Sequence, residues 1–159
     1  GARAAIDWQD PLGTLGRITQ QDFCLLQKPQ GSAEHVLTGA ILCFPASWTL
    51  AEKFMRPLIG IHETVDSYDE SIAKRVQRLF DGVQPGRPLW RFNALWYQDP
   101  ELYAPRSIHD PRDKSHGCDA PYMRSEQQVI LRLPQSRAVV FSIHTYMVHR
   151  DDVMAQWGS

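Results

Sequence analysis

YMRSEQQVILRL, residues 122–133, is followed by PQS and then by RAVVFSIHTYMV, residues 137–148, and this stretch decides the fold. The second run is rich in β-branched and aromatic residues, both read as strands, and the polar, proline-bearing break between them predicts a hairpin. In the second run Val139, Phe141, Ile143, Thr145 and Met147 alternate with Val140, Ser142, His144 and Tyr146. Side chains alternate faces along a strand, so the first set is expected to line a core.

Upstream, Leu89–Tyr97 reads as a third strand after the breaker Pro85-Gly86-Arg87-Pro88. Trp90, Phe92, Ala94 and Trp96 share one of its faces, and Leu89, Arg91, Asn93 and Leu95 share the other. Residues 98–121, with four prolines, read as a long surface loop of the kind that is often functional. Nearer the start, Phe23–Gln27 and Val36–Phe44 flank the turn cluster Lys28–Ser32, which makes an N-terminal hairpin.

The middle is helical. Thr49 and Glu52 have capping-box spacing for a helix through Leu50–Met55. Asp66, Ser67 and Asp69 are capping candidates for Glu70–Phe80, where Ile72, Val76, Leu79 and Phe80 form an apolar stripe. Two strands, a helical middle and three strands predict an α+β fold: a five-stranded antiparallel sheet with helices packed on one face, the element order of the Per-ARNT-Sim (PAS) fold. Residues 1–20 are a lead-in segment with room for a short helix, 21–150 a single domain, and 151–159 an unassigned tail.

Composition narrows the function. A formal charge of −1 excludes a general nucleic-acid binder, which needs a basic surface. No apolar run approaches the roughly 18 residues of a membrane span. The opening GARAAIDW has no signal-peptide core, so a cytoplasmic protein is expected, and a start without methionine leaves open a piece of a longer chain. Cys24, Cys43 and Cys118 are too dispersed for a disulfide framework or an iron–sulfur site. GxSxG, Walker, HExxH, EF-hand and glycine-rich nucleotide patterns are all missing.

Between the two helical segments, PLIGIHETV (57–65) is a short apolar run that delivers His62 just ahead of a helix. A neutral imidazole there suits an axial ligand of haem iron, since a helix can wall one side of a flat apolar cofactor; the alternative is a histidine bonded to a loop carbonyl.

Phe44–Lys53, Ile61-His62, Arg91-Phe92-Asn93, Arg124–Pro134 and Val140–Tyr146 together resemble the haem-dependent oxidative N-demethylase family, whose haem-binding alpha subunit is a PAS-like domain. The resemblance runs from about Gly16 to about Val148, in order. It implies a haem b (iron) site and a monooxygenase subunit that uses O2 to demethylate a small secondary amine such as dimethylamine, releasing formaldehyde. Electrons would come from partner reductase subunits carrying FMN, a 2Fe-2S centre and NADPH. The other function class in view is a non-catalytic PAS-like sensor of haem, a gas or another small molecule. Two departures stand out: Glu63-Thr64-Val65-Asp66 follows His62 where the family commonly has x-Pro-Val-Pro, and Ala94 follows Asn93 where it commonly has Trp. The first loosens the backbone that aims His62, and the second changes the pocket wall.

His62 is thus the candidate metal ligand, with His144 its competitor; His109 and His116 lie in the polar loop, where histidines are normally solvated. Arg91 and Asn93 would enter a cavity and donate to bound oxygen or a haem propionate, or else face solvent. Arg124, Glu126 and Gln128 share a strand face: Arg124 is a cofactor-binding candidate, and Glu126 would compensate a desolvated ammonium substrate. Trp90 and Phe92, with Trp48 and Trp96, would line a porphyrin slot or fill a core.

Overall fold

A computed structural model describes residues 5–62, 70–107, 109–110 and 119–157, with the side chains of His62 and Glu70 outside that description. The elements in order are α1 (Pro11–Ile18), β1 (Asp22–Gln27), β2 (Val36–Ile41), α2 (Leu50–Lys53), α3 (Leu58–His62), α4 (Glu70–Gly82), β3 (Leu89–Tyr97), β4 (Tyr122–Arg132), β5 (Val139–His149) and α5 (Arg150–Trp157). The strands form one sheet in the order β2-β1-β5-β4-β3, with every neighbouring pair antiparallel. This is the α+β arrangement expected from the strand–helix–strand order.

Register fixes which residues share a face. Cys24 pairs with Phe141, Phe141 with Ile130, and Ile130 with Leu89, so these four point the same way. On that inner face Cys24, Leu26, Leu37 and Val139 pack against Leu58 of α3 and Phe80 and Val83 at the end of α4. Each fully buried side chain of this kind contributes about 1.5–3 kcal/mol. Val139, Ile143 and Thr145 of the set expected to face the core are buried and Phe141 and Met147 are half-buried, but Val140 and Ser142 of the opposite set are buried as well, because β5 lies in the middle of the sheet and is covered on both faces. Leu79 is half exposed, so α4 turns Ala73, Val76 and Phe80 inward, at spacings of three and four. Arg132 of β4 donates to the carbonyls of Phe80 (2.5 Å) and Val83 (2.7 Å) and ties the end of α4 to the sheet.

The outer face carries α1, capped by the Asp10 carboxylate on the Gly13 N–H (2.9 Å) with Pro11 opening the helix. It approaches β2 so closely that a Cβ on Gly16 would stand 2.8 Å from Ile41 Cγ1. Glycine is what permits that contact.

Several details differ from the sequence reading. β2 stops at Ile41 rather than Phe44, because the Asp22 carboxylate takes the N–H groups of Cys43 (2.6 Å) and Phe44 (2.8 Å) out of the ladder. α2 ends at Lys53 rather than Met55: Met55 adopts φ +61° and donates to the Leu37 carbonyl (2.8 Å). Thr49 sits at its N-cap without a side-chain cap bond, and Glu52 accepts from Ser107 Oγ instead (2.6 Å). Within the apolar run at 57–65, Leu58–His62 form a one-turn helix, and Arg150–Trp157, most of them in the unassigned tail, form α5. The capping candidates Asp66, Ser67 and Asp69 lie outside the described residues.

The 98–121 stretch is not all loose loop. Ala46 bridges Ala104, Ala104 N–H donates to Pro45 O (2.9 Å), and Ser47 N–H donates to Ala104 O (2.9 Å). These bonds dock residues 102–107 against the segment that leads into α2.

Candidate functional site

On the inner face, the apolar rows of the β1–β5 half give way to polar rows on β4 and β3. Arg91 pairs with Gln128, Asn93 with Glu126, and Leu95 with Arg124, so the five polar residues share the face that α3 and α4 cover farther along. Three were expected on one strand and two on another; the register brings them together.

They are joined by hydrogen bonds. Arg91 Nε donates to Gln128 Oε1 (2.8 Å), Gln128 Nε2 donates to Glu126 Oε2 (3.1 Å), and Arg124 Nε donates to Glu126 Oε1 (3.3 Å). Each carboxylate oxygen of Glu126 therefore accepts one of these bonds and keeps lone-pair capacity for another donor. Arg124 is 2% exposed. Its remaining nitrogens donate to Phe44 O (2.6 Å), Thr145 Oγ1 (3.3 Å) and Leu102 O (3.1 Å), so its guanidinium also clamps two loops over the sheet.

Charge is compensated around this line. Asp22 is buried beside it, and burial pushes its carboxyl up, while the Phe44 and Cys43 N–H groups and the Arg124 guanidinium pull the other way. Burial also raises the Tyr97 phenol, which shares the face and feels Arg124. Past Arg91, the inner face of β3 stays open: Leu89 and Leu95 are exposed beside Arg91 and Asn93. Apolar side chains next to a guanidinium suit a flat apolar ring with an anionic edge.

At the helix side, α3 is held at both ends. Leu58 N–H donates to His35 O (3.0 Å) and Ile59 N–H to Glu34 Oε2 (3.1 Å), while Lys53 Nζ donates to Ile61 O. Burial lowers the Lys53 ammonium's pKa from its usual value, with the Glu52 carboxylate opposing. His62 closes this helix; its side chain, like all of His116, lies outside the described residues.

The other candidates are dispersed. His144 pairs with Gln127 and so points to the outer face, away from α3, with its ring 4.4 Å from that of Tyr146. His109 is exposed in the loop. Trp90 and Phe92 project from the outer face of β3, 66% and 52% exposed, edge to face with one another. The structure does not bring them together with Arg91 and Asn93, because neighbours along one strand face opposite ways. Trp96 is stacked under the Arg150 guanidinium (4.1 Å) on the same outer side, and Trp48 packs against the core.

Four buried polar residues, Thr14, Asp22, His35 and Lys53, had no signal in the sequence pattern, and two of them are titratable bases. Lys53 is one. The other is His35, 1% exposed, with Nδ1 2.9 Å from Gln77 Nε2 and its ring against Phe80. Burial depresses its pKa, and the Gln77 bond and Asp81 charge offset this in part.

The fold is an α+β domain: a five-stranded antiparallel sheet with a charged, hydrogen-bonded line on the face that α3 and α4 cover farther along. Over residues 2–158 the chain matches the family described as haem-dependent oxidative N-demethylase, alpha subunit-like, and it belongs to that family. Membership makes it, at that level, a haem-dependent, oxidative N-demethylase-like subunit of alpha type. No helix among the described residues is long and apolar enough to cross a membrane.

Proposed function

We propose that this chain is the haem b-binding subunit of a monooxygenase that removes a methyl group from a small secondary amine of the dimethylamine type. One N-methyl group is oxidised and leaves as formaldehyde carrying one atom of O2. The other oxygen atom leaves as water, with two electrons and two protons supplied by a reductase partner bearing NADPH, FMN and a 2Fe-2S centre. Haem, when bound, supplies the activation of oxygen.

The observation that carries this reading is the line Arg91–Gln128–Glu126–Arg124 on the inner face. Glu126, with one acceptor position open on each oxygen, binds the substrate ammonium and orients its methyl group. Arg91 and Arg124 keep that carboxylate's charge balanced, and Arg91 presents its remaining donors at the open rim for a propionate. Asn93, beside Glu126, donates to oxygen. His62, at the end of α3, is the residue that would hold the haem iron. His144, on the other side of the sheet, is set aside, and Trp90 and Phe92 belong to the reverse of the same strand rather than to the pocket.

Haemin titration followed by absorbance tests this. A Soret band that is lost or shifted in His62→Ala is expected, together with formaldehyde release from dimethylamine when a reductase system is supplied. Glu126→Gln should raise the amine KM by tenfold or more, the loss expected when a charge-assisted bond of about 1.5–3 kcal/mol is removed. Haem uptake with no turnover under any electron donor would make the domain a sensor instead. A protein that takes up no haemin would end the reading.

A further inference from the structure

A buried lysine needs a reason, because its ammonium gives up water on burial. Lys53 is 9% exposed. It is the last residue of α2, its Nζ donates to the carbonyl of Ile61, and the Trp48 ring lies 5.9 Å from the ammonium. Ile61 is the penultimate residue of α3, and the carbonyls that end a helix have no acceptor role within it.

The start of α3 is secured by backbone. Besides the bonds from Leu58 and Ile59, Pro57 bridges Val36, Leu37 N–H donates to Arg56 O (3.1 Å), and Met55 N–H returns to Leu37 O (2.8 Å). The end of α3 is held by a side chain, that of Lys53, reaching across from the neighbouring helix. The next residue is His62.

We propose that Lys53 is a positioning residue for His62: by gripping the Ile61 carbonyl it fixes the last turn of α3 and the direction in which the following residue leaves it. The inference rests on the assignment of His62 made above. Groups that orient a metal ligand from behind typically change metal affinity 10–100-fold when removed.

The experiment is haemin titration of the full chain as wild type, Lys53→Met, Lys53→Arg and His62→Ala, with ferric spectra and thermal unfolding of the haem-free proteins. Lys53→Met is expected to bind haemin about 10–100-fold more weakly and to shift its Soret band toward that of His62→Ala. Added imidazole, which needs no helix to aim it, should restore the wild-type band, and Lys53→Arg should retain it. A lower thermal midpoint with unchanged affinity and band would show a purely structural lysine and overturn the inference alone. Haem uptake with the same band in His62→Ala overturns the ligand assignment, and wild type that takes up no haemin overturns the proposed function; the inference falls with either. Should Lys53→Met not fold, Lys53→Gln, which keeps a neutral donor, answers through the same band and imidazole response.

Discussion

At the β1–β5 end of the sheet, Leu26, Leu37 and Val139 interlock beneath Leu58, Phe80 and Val83. At the other end, seven of the nine residues of β3 are exposed, and they include Leu89, Trp90, Phe92 and Leu95. One half of the sheet has its apolar side chains satisfied inside the chain, and the other shows them on both faces of an edge strand. Edge strands of natural proteins are usually protected by charge, proline or a covering element. β3 has Arg91 as its one charge, and that charge is bound into the Glu126 line. The packed half holds the domain together, and the open half leaves apolar side chains at the surface of an edge strand.

The comparison can be broken most directly by truncation. Phe80→Ala should cost about 3–5 kcal/mol, the loss for a buried aromatic, whereas Trp90→Ala should stay within about 0.5 kcal/mol. Urea unfolding of both variants checks this, and equal losses would mean that β3 is buried in solution. Next in size, Arg124→Leu should cost about 3 kcal/mol, because Glu126, Phe44 O and Leu102 O lose a donor together. Arg91→Leu, at the exposed end of the same line, should cost less, about 1 kcal/mol, by taking the donor from Gln128 Oε1, and should also change haemin uptake. Asp22→Ala should lose about 2 kcal/mol by orphaning the Cys43 and Phe44 N–H groups, with hydrogen exchange at those two amides rising first.

The smallest effect is one of pH and belongs to the packed half. His35 has its pKa lowered by burial, so below about pH 6.5, the ordinary imidazole value, the unfolded chain binds a proton that the folded chain resists. Its contribution is therefore intact above that value and is lost as pH falls through the folded one. Stability measured between pH 7.5 and 5 should fall less steeply in His35→Gln than in the wild type.

The strands were legible because each is a run bounded by turn or breaker residues, with partial alternation along β5, and α4 because its apolar residues recur at three and four. α3 was not, since five residues give no periodicity to read. Nor was α5, whose apolar residues gather on no one side. The polar candidates were each visible on their own strand, but their meeting depends on the β3–β4 register. The long connection between those strands leaves that register unspecified until the sheet forms. Lys53 and His35 escaped notice because nothing local marks a charged or titratable residue for burial; their partners, Ile61 O and Gln77, are supplied by other elements.

The docking of residues 102–107 onto the chain before α2 has a consequence for anyone who would re-engineer the pocket. Through Leu102 O and Phe44 O, Arg124 senses any change in how that connection is laid down, and it passes the change to Glu126. Lengthening or grafting this part of the loop to admit a bulkier amine would therefore disturb Glu126, the carboxylate proposed to bind it. Enlargement is better sought by trimming Leu89 at the open rim, which pairs with Ile130 rather than with a member of the polar line.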